Sequence, residues 1–333
     1  MKAQHLALMT ISKTTALSLW RGMKRIRHVE EEIAARYPDG KMRCPTHLSI
    51  GQEAAAMAVG AALKKEDLAV SSHRAHAHYL AKGGDLLAML SEIYGKSTGC
   101  CRGRGGSMHL TDPSVGFVGS TAIVGNSIPI GVGLALSLQL KKTKEVSAVF
   151  FGDGSVEEGS FYESVNFAAV RNLPVLFVCE NNFYSVYSPL KVRQPDGRKI
   201  FEMVASMGIL SAMVNGNDIE AAFFKTKDAL EYVRSGRGPF FLELTTYRWR
   251  EHCGPNYDND IGYRSEEEFA SWHANDPISN YERLLLTRGW LTAEQIEKTV
   301  AELTVEINSA FSYAENSPFP SPEEAYLDEY STP

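Results

Sequence analysis

The sequence lacks an excess of positive charge, a long apolar run and any CxxC or zinc-ligand cysteine motif, and each absence removes a class of function. Lysine and arginine total 34 against 40 acidic residues, a net charge of −6, so the basic stripe of a nucleic-acid-binding protein is missing. The longest acidic cluster is Glu266-Glu267-Glu268. The first twenty residues hold Lys2 and Lys13 but no apolar core, so neither a secretory signal nor a membrane span is read there. The five cysteines (Cys44, Cys100, Cys101, Cys179, Cys253) form no CxxC pair and no zinc-ligand spacing. That usage fits a reduced, cytoplasmic compartment. What is present is 44% apolar composition over 333 residues, ample for one large α/β core or two modest ones.

Apolar periodicity predicts a helix over residues 15–37, where Leu17, Trp20, Met23, Ile26 and Ile33 share a face and Pro38-Asp39-Gly40 stops the run. Residues 52–63 and 85–94 read as further helices. The segment 95–125, rich in Gly, Ser, Arg and Thr, is too long for a plain connector and reads as a site loop. From residue 146 the chain alternates: strand 146–151, helix 157–171, strand 175–179, then strand 209–214, helix 218–234 and strand 240–246. Short apolar strands separated by helices predict an α/β fold, a parallel sheet covered by helices on both faces. Past Gly262, Ser265 with Glu268 and Thr292 with Gln295 have capping-box spacing, and Ser321-Pro322 is an N-cap followed by proline at the first helical position. Residues 265–333 are therefore expected to be a helical C-terminal extension of the same domain as residues 1–264.

In a parallel sheet, ligands collect where strands end at their carboxyl side, and Gly152-Asp153-Gly154 and Asn181-Asn182 each follow a predicted strand. Asp153 offers a hard anionic oxygen and Asn182 an amide oxygen, which suits magnesium carrying diphosphate oxygens as its other ligands. Gly154 allows close backbone approach, and the helix expected after it opens with free N–H groups suited to phosphate. Either motif alone reads as turn chemistry; the two together, one helix and one strand apart, are the specific signal. His73, His76 and His78 alternate but lack cysteine or carboxylate partners at zinc spacing. Arg102 and Arg104, in a glycine-rich context, are expected to order the loop around the site. Gly95-Lys96-Ser97-Thr98 imitates the end of a P-loop, but the required earlier glycine falls at Leu90, inside a predicted helix.

These segments resemble the thiamine-diphosphate enzymes. His47-Leu48-Ser49-Ile50-Gly51-Gln52-Glu53-Ala54, Arg74-Ala75-His76, residues 103–109 (GRGGSMH), Ile123-Val124-Gly125 and Cys179-Glu180-Asn181-Asn182 narrow the resemblance to the alpha subunit of the decarboxylating component of 2-oxo acid dehydrogenase complexes, of pyruvate or acetoin type. It spans residues 15–264. The resemblance implies thiamine diphosphate and Mg2+ as cofactors, with Asp153, Asn182 and the Tyr184 carbonyl on the metal. Arg74, Gly152, the amides of Gly154 and Ser155, and His252 would hold the diphosphate. The backbone at Ala122 and Val124 would meet the aminopyrimidine, and Val186 would support the bent cofactor. His47, His76 and His252 are the candidate catalytic histidines. His73 stands where close relatives often carry a tyrosine that contacts the diphosphate. In the run Arg250-Glu251-His252-Cys253, a cysteine stands where mammalian pyruvate relatives carry a phosphorylated serine, so kinase control there is not expected.

The implied reaction is decarboxylation of a small 2-oxo acid, or cleavage of acetoin, with transfer of the acyl unit to a lipoyl acceptor. The glutamate that activates the cofactor would come from a separate beta subunit in an α2β2 assembly, and a lipoyl acyltransferase is a further expected partner. Alternatives are a carboligating or split-transketolase-type subunit, which shares the diphosphate clamp, and a non-catalytic assembly subunit.

Overall fold

The structure, a computed structural model, describes residues 10–42 and 44–327. The reading of the N-terminal segment falls partly on residues 1–9, and that of the C-terminal extension on 328–333, both outside the described residues. The strands are β1 (Leu68–Ser71), β2 (Phe117–Ser120), β3 (Ser147–Gly152), β4 (Val175–Asn181), the short β5 (Tyr184–Ser185) and β6 (Ser188–Pro189), β7 (Leu210–Asn215) and β8 (Phe240–Thr245). The helices are α1 (Lys13–Arg36), α2 (Glu53–Ala62), α3 (His76–Ala81), α4 (Leu86–Ile93), α5 (Ser127–Leu140), α6 (Gly159–Arg171), α7 (Leu190–Arg193), α8 (Ile200–Ala205), α9 (Ile219–Arg234), α10 (Glu266–Ala274), α11 (Pro277–Thr287) and α12 (Ala293–Asn316).

Six strands pair in the order β2-β1-β3-β4-β8-β7, every pair parallel. Successive side chains of a strand point to opposite faces, and each face here has its own apolar layer. Phe150, Leu176, Val178, Leu242 and Leu244 pack towards α1, α2, α9 and α12. Val149, Phe151, Phe177 and Phe241 pack towards α5, α6 and α8. The expected α/β sheet with helices on both faces is the observed one. Leu303, Ile307 and Phe311 of α12 join the first of these layers, so the C-terminal helices share the core of the sheet. Thr292 and Gln295 form the expected reciprocal capping box, whereas Ser321 caps a 3-10 turn, Pro322–Tyr326, rather than an α-helix. Among the described residues no helix is long and apolar enough to cross a membrane.

Four elements differ from expectation for readable reasons. β1 is only four residues long, after the charged run Lys64-Lys65-Glu66-Asp67, and β2 carries Gly119 and Ser120 inside what reads as a site loop. α5 has apolar residues around its whole circumference and contains Gly131 and Gly133, so it lacks amphipathic periodicity. The α-helix expected at 157–171 begins at Gly159, because Asp153–Glu157 form a 3-10 turn. The phosphate-suited amides after β3 therefore belong to that tighter turn, not to a helix.

The segment after α4 is organised by one buried carboxylate. Glu92 accepts the backbone N–H groups of Cys101 at 2.7 Å, Gly103 at 2.8 Å, Gly105 at 2.6 Å and Gly106 at 3.0 Å. Gly103 and Gly106 sit at φ 76° and 61°, where glycine carries no Cβ penalty. Lys96 donates to the Glu315 and Ser317 carbonyls at the end of α12, at 3.1 and 2.9 Å, so the P-loop-like lysine caps a helix. Arg104 donates to the Glu324 and Leu327 carbonyls and ties down the C-terminal turn.

Glu92→Ala removes the acceptor of four loop N–H groups. Trypsin is expected to cut after Arg102 or Arg104 about tenfold faster or more, the factor a loss of about 1.4 kcal/mol in local opening produces, with the circular dichroism unchanged; wild-type cleavage kinetics would contradict this.

Candidate active site

β3 and β4 pair with Gly152 opposite Glu180, so Asp153 and Asn181-Asn182 emerge side by side at the carboxyl edge of the sheet. The chain after β1 brings His73 and Arg74 to the same edge, and the chain after β8 brings His252. A crevice enclosing about 100 Å³ opens there, lined by Val124, His73, Arg74, residues 152–155, Asn182, Tyr184, Val186 and His252. Of the sequence-predicted site residues, His47, His76 and Ala122 are not on its wall. The volume is well below the several hundred Å³ of a complete small-molecule pocket. A larger open depression, about 710 Å³, shares Tyr184 with it; its lining lacks Asp153, Asn182 and Arg74, which line the smaller crevice.

The carboxylate of Asp153 is 1% exposed and ion-paired with the Arg193 guanidinium, which also binds Glu157 at 2.6 Å. Burial raises its carboxyl above the ordinary aspartate range, and Arg193 opposes the rise. Asn182 Oδ1 accepts the Tyr184 N–H at 3.2 Å and Asn181 Oδ1 the Phe183 N–H at 3.0 Å, so the Asn-Asn pair is also the turn device its residue types suggest. One lone pair of Asn182 Oδ1 remains for a ligand. Gly154 leaves room for Ser185: a Cβ there would lie 2.6 Å from Ser185 Oγ and 3.0 Å from its Cβ. Val186 sits at φ 54°, a strained conformation for a β-branched residue, of the kind that gathers at ligand sites.

Arg74 is buried, and among the described residues no carboxylate lies within ion-pair distance of it. Its donors meet the Leu48 carbonyl at 2.6 Å and the His252 carbonyl at 3.1 Å. Burial, reinforced by Arg248, lowers its pKa to about 9. A buried cation served only by neutral acceptors favours an anion at the crevice.

The His47, His73 and His252 rings cluster, with centroids 4.5 Å apart for His47–His73, 5.1 Å for His47–His252 and 5.4 Å for His73–His252. Burial first and Arg74 second lower their pKa values, to about 2 for His47, about 4 for His73 and about 3 for His252. They are neutral at pH 7. His47 Nδ1 is buried without a hydrogen-bond partner among the described residues. His76 is elsewhere: fully buried, it bonds Glu30 at 3.2 Å through Nδ1 and Ser107 at 2.8 Å through Nε2. Both ring nitrogens are used, so His76 is a positioning residue, joining the glycine loop to the Glu30 carboxylate that also accepts the Ser49 N–H at 2.8 Å.

A buried polar chain unforeseen from sequence runs along the crevice. Ser71 Oγ meets His78 Nδ1 at 2.7 Å, His78 Nε2 meets Glu180 at 2.9 Å, Gln52 donates to Glu180 at 3.2 Å, and Asn182 donates to Gln52 at 3.1 Å. Gln52 and Glu180 lay within motifs already singled out, and His78 was visible only as one of three alternating histidines. Arg193 had no sequence signal, because its role comes from the turn β5-β6 folding α7 back over the crevice.

The lowered imidazole pKa values set a pH dependence. In the unfolded chain these histidines protonate near 6.5, while in the folded chain they stay neutral to about 4 or lower. Their contribution to stability is thus complete above pH 6.5 and is lost as pH falls towards 4. Thermal midpoints are expected to drop between pH 7 and 5, less steeply in His73→Asn and His252→Asn; an equal slope in these variants would contradict the assignment.

Residues 21–323 match the dehydrogenase E1 component family. The pyruvate dehydrogenase E1 component subunit alpha of Rickettsia bellii is 37% identical over 321 residues, covering 96% of each chain. The alpha subunit of the acetoin:2,6-dichlorophenolindophenol oxidoreductase of Bacillus subtilis is 35% identical over 324 residues, 97% of this chain and 95% of that one. The Zymomonas mobilis pyruvate dehydrogenase E1 component subunit alpha is 36% identical over 314 residues, 94% and 87% of the two chains. The chain whose sheet edge gathers Asp153, Asn182 and Arg74 is thus similar over nearly its whole length to alpha subunits of these enzymes, and it belongs to the dehydrogenase E1 component family.

Proposed function

We propose that this chain binds the diphosphate end of thiamine diphosphate through Mg2+ and works in the cytoplasm within an α2β2 assembly that decarboxylates pyruvate or a similar 2-oxo acid, or cleaves acetoin. The single observation carrying this reading is the juxtaposition of buried Asp153 and Asn182 with Arg74, a buried cation lacking a carboxylate partner among the described residues. Asp153, Asn182 Oδ1 and the Tyr184 carbonyl are hard oxygen donors that fit magnesium, which would take over the counter-charge role that Arg193 now fills against Asp153. Arg74 neutralises diphosphate charge. Gly152 leads into the 3-10 turn whose opening amides, Gly154 and Ser155, have no acceptor within it, and the neutral His73 and His252 rings offer N–H donors from the opposite wall. Val124 and, through its backbone, Ala122 would meet the aminopyrimidine, while Val186 would support the bend.

When bound, the cofactor supplies the carbanion chemistry of decarboxylation. This chain's residues bind, orient and desolvate. The crevice takes only one end of such a ligand, and the glutamate that activates the other end is assigned to a beta subunit. The surface supports a covering partner: α5 is apolar all round, yet Ile130 and Leu140 are exposed, as are Ile123 and Val124 just before it. The acyl unit passes to a lipoyl acyltransferase in a dehydrogenase complex. His47, with its unpartnered Nδ1 beside His73 and His252, is the chain's candidate for a substrate contact.

Titration of the co-expressed α and β chains with thiamine diphosphate and magnesium by calorimetry should show binding, and absence of binding would remove the proposal. Asp153→Ala should lose retained cofactor on gel filtration with its fold intact; retention at the wild-type level would remove Asp153 from the metal. A donor panel is expected to show turnover of 2-oxo acids or acetoin, whereas turnover of ketose phosphates alone would favour the transketolase-type reading. Ile130→Glu is expected to release free α chain in sedimentation analysis, and an intact assembly would place the partner on another face.

A further inference from the structure

Cys100 and Cys101 are adjacent at the start of the glycine loop, and both are half-buried free thiols. Their Sγ atoms and a Glu92 carboxylate oxygen lie within 4.8 Å of one another. A divalent cation held by two thiolates and a carboxylate is the obvious reading, but the carboxylate is already spent. Each Glu92 oxygen accepts two backbone N–H groups, at 2.7 and 2.8 Å on one and 2.6 and 3.0 Å on the other, which fills its in-plane lone pairs. Two sulfurs alone are too few for a tetrahedral zinc site. They suffice for a soft element that brings its own third substituent.

The same four bonds hold the thiols in place. Glu92 fixes the Cys101 N–H, and the Cys101 thiol donates to the His109 carbonyl at 3.0 Å across the loop. A Cβ on Gly105 would lie 3.2 Å from that of Cys101, so the loop backbone packs close against the pair.

We propose that Cys100 and Cys101 form a dithiol site for trivalent arsenicals, separate from the cofactor crevice and independent of its assignment. With an organoarsenic(III) oxide, two As–S bonds form, the bonds from arsenic to oxygen break, and the oxygen leaves as water with both thiol protons. No atom changes oxidation state. Because the thiols are already gathered, ring closure loses little conformational freedom.

The test uses the co-expressed α and β chains, free of any lipoyl domain, treated with phenylarsine oxide and read by intact mass. One phenylarsine adduct per α chain is expected, stable to excess monothiol and removed by 2,3-dimercaptopropanol. Cys100→Ala and Cys101→Ala should each lose it. Should a variant fail to fold, alkylation mapping of the wild-type adduct decides: Cys100 and Cys101 are expected to be protected from iodoacetamide, with Cys44, Cys179 and Cys253 unchanged. No adduct on the wild-type α chain, an adduct retained in either variant, or protection at another cysteine would overturn the proposal.

Discussion

Parallel pairing of β3 with β4, with Gly152 opposite Glu180, is the constraint on which the site depends. It is enforced from both faces of the sheet. Phe150 and Val178 on one side, and Phe151 and Phe177 on the other, reach their own layers only in this register. A slip of one residue would exchange the faces and bury the wrong set. With the register fixed, Asp153 and Asn182 leave neighbouring strand ends together, and the sheet edge becomes a ligand site because the backbone has nowhere else to put them.

The electrostatics follow from that placement. A buried carboxylate needs a counter-charge, and Arg193 supplies it from a segment folded back over the crevice. A buried guanidinium needs an anion, and among the described residues Arg74 finds only the Leu48 and His252 carbonyls and, at 3.4 Å, the His252 Nδ1. The histidines around it stay neutral, since adding charge beside Arg74 in a desolvated pocket is costly. On the proposed reading the crevice receives a ligand carrying both a metal ion and negative charge, and it is half a site: its volume takes one end of such a ligand, and the exposed apolar residues of α5 suit a second chain.

Much of this was legible in the sequence because it was local. The core strands from 146 onward announced themselves as short apolar runs, and the strand ends that meet at the sheet edge as Gly-Asp-Gly and Asn-Asn. The unread parts depend on contacts distant along the chain. β1 and β2 are too short to show periodicity, and α5 hides its helical period by being apolar on every side. Glu92 looks like any helix-end acid until the loop wraps its carboxylate. His76, adjacent in sequence to site residues, turns inward to Glu30 and Ser107, while His47 joins His73 and His252 from far upstream. Arg193 shows the limit most clearly, since nothing in its neighbourhood hints that it will meet Asp153.

The most direct measurement is anomalous diffraction from crystals of the co-expressed α and β chains grown with thiamine diphosphate and Mn2+ in place of Mg2+. A manganese peak bound by Asp153, Asn182 and the Tyr184 carbonyl, with Arg193 withdrawn from Asp153, is the predicted result. A peak elsewhere, with the Arg193–Asp153 pair intact beside bound cofactor, would contradict the account.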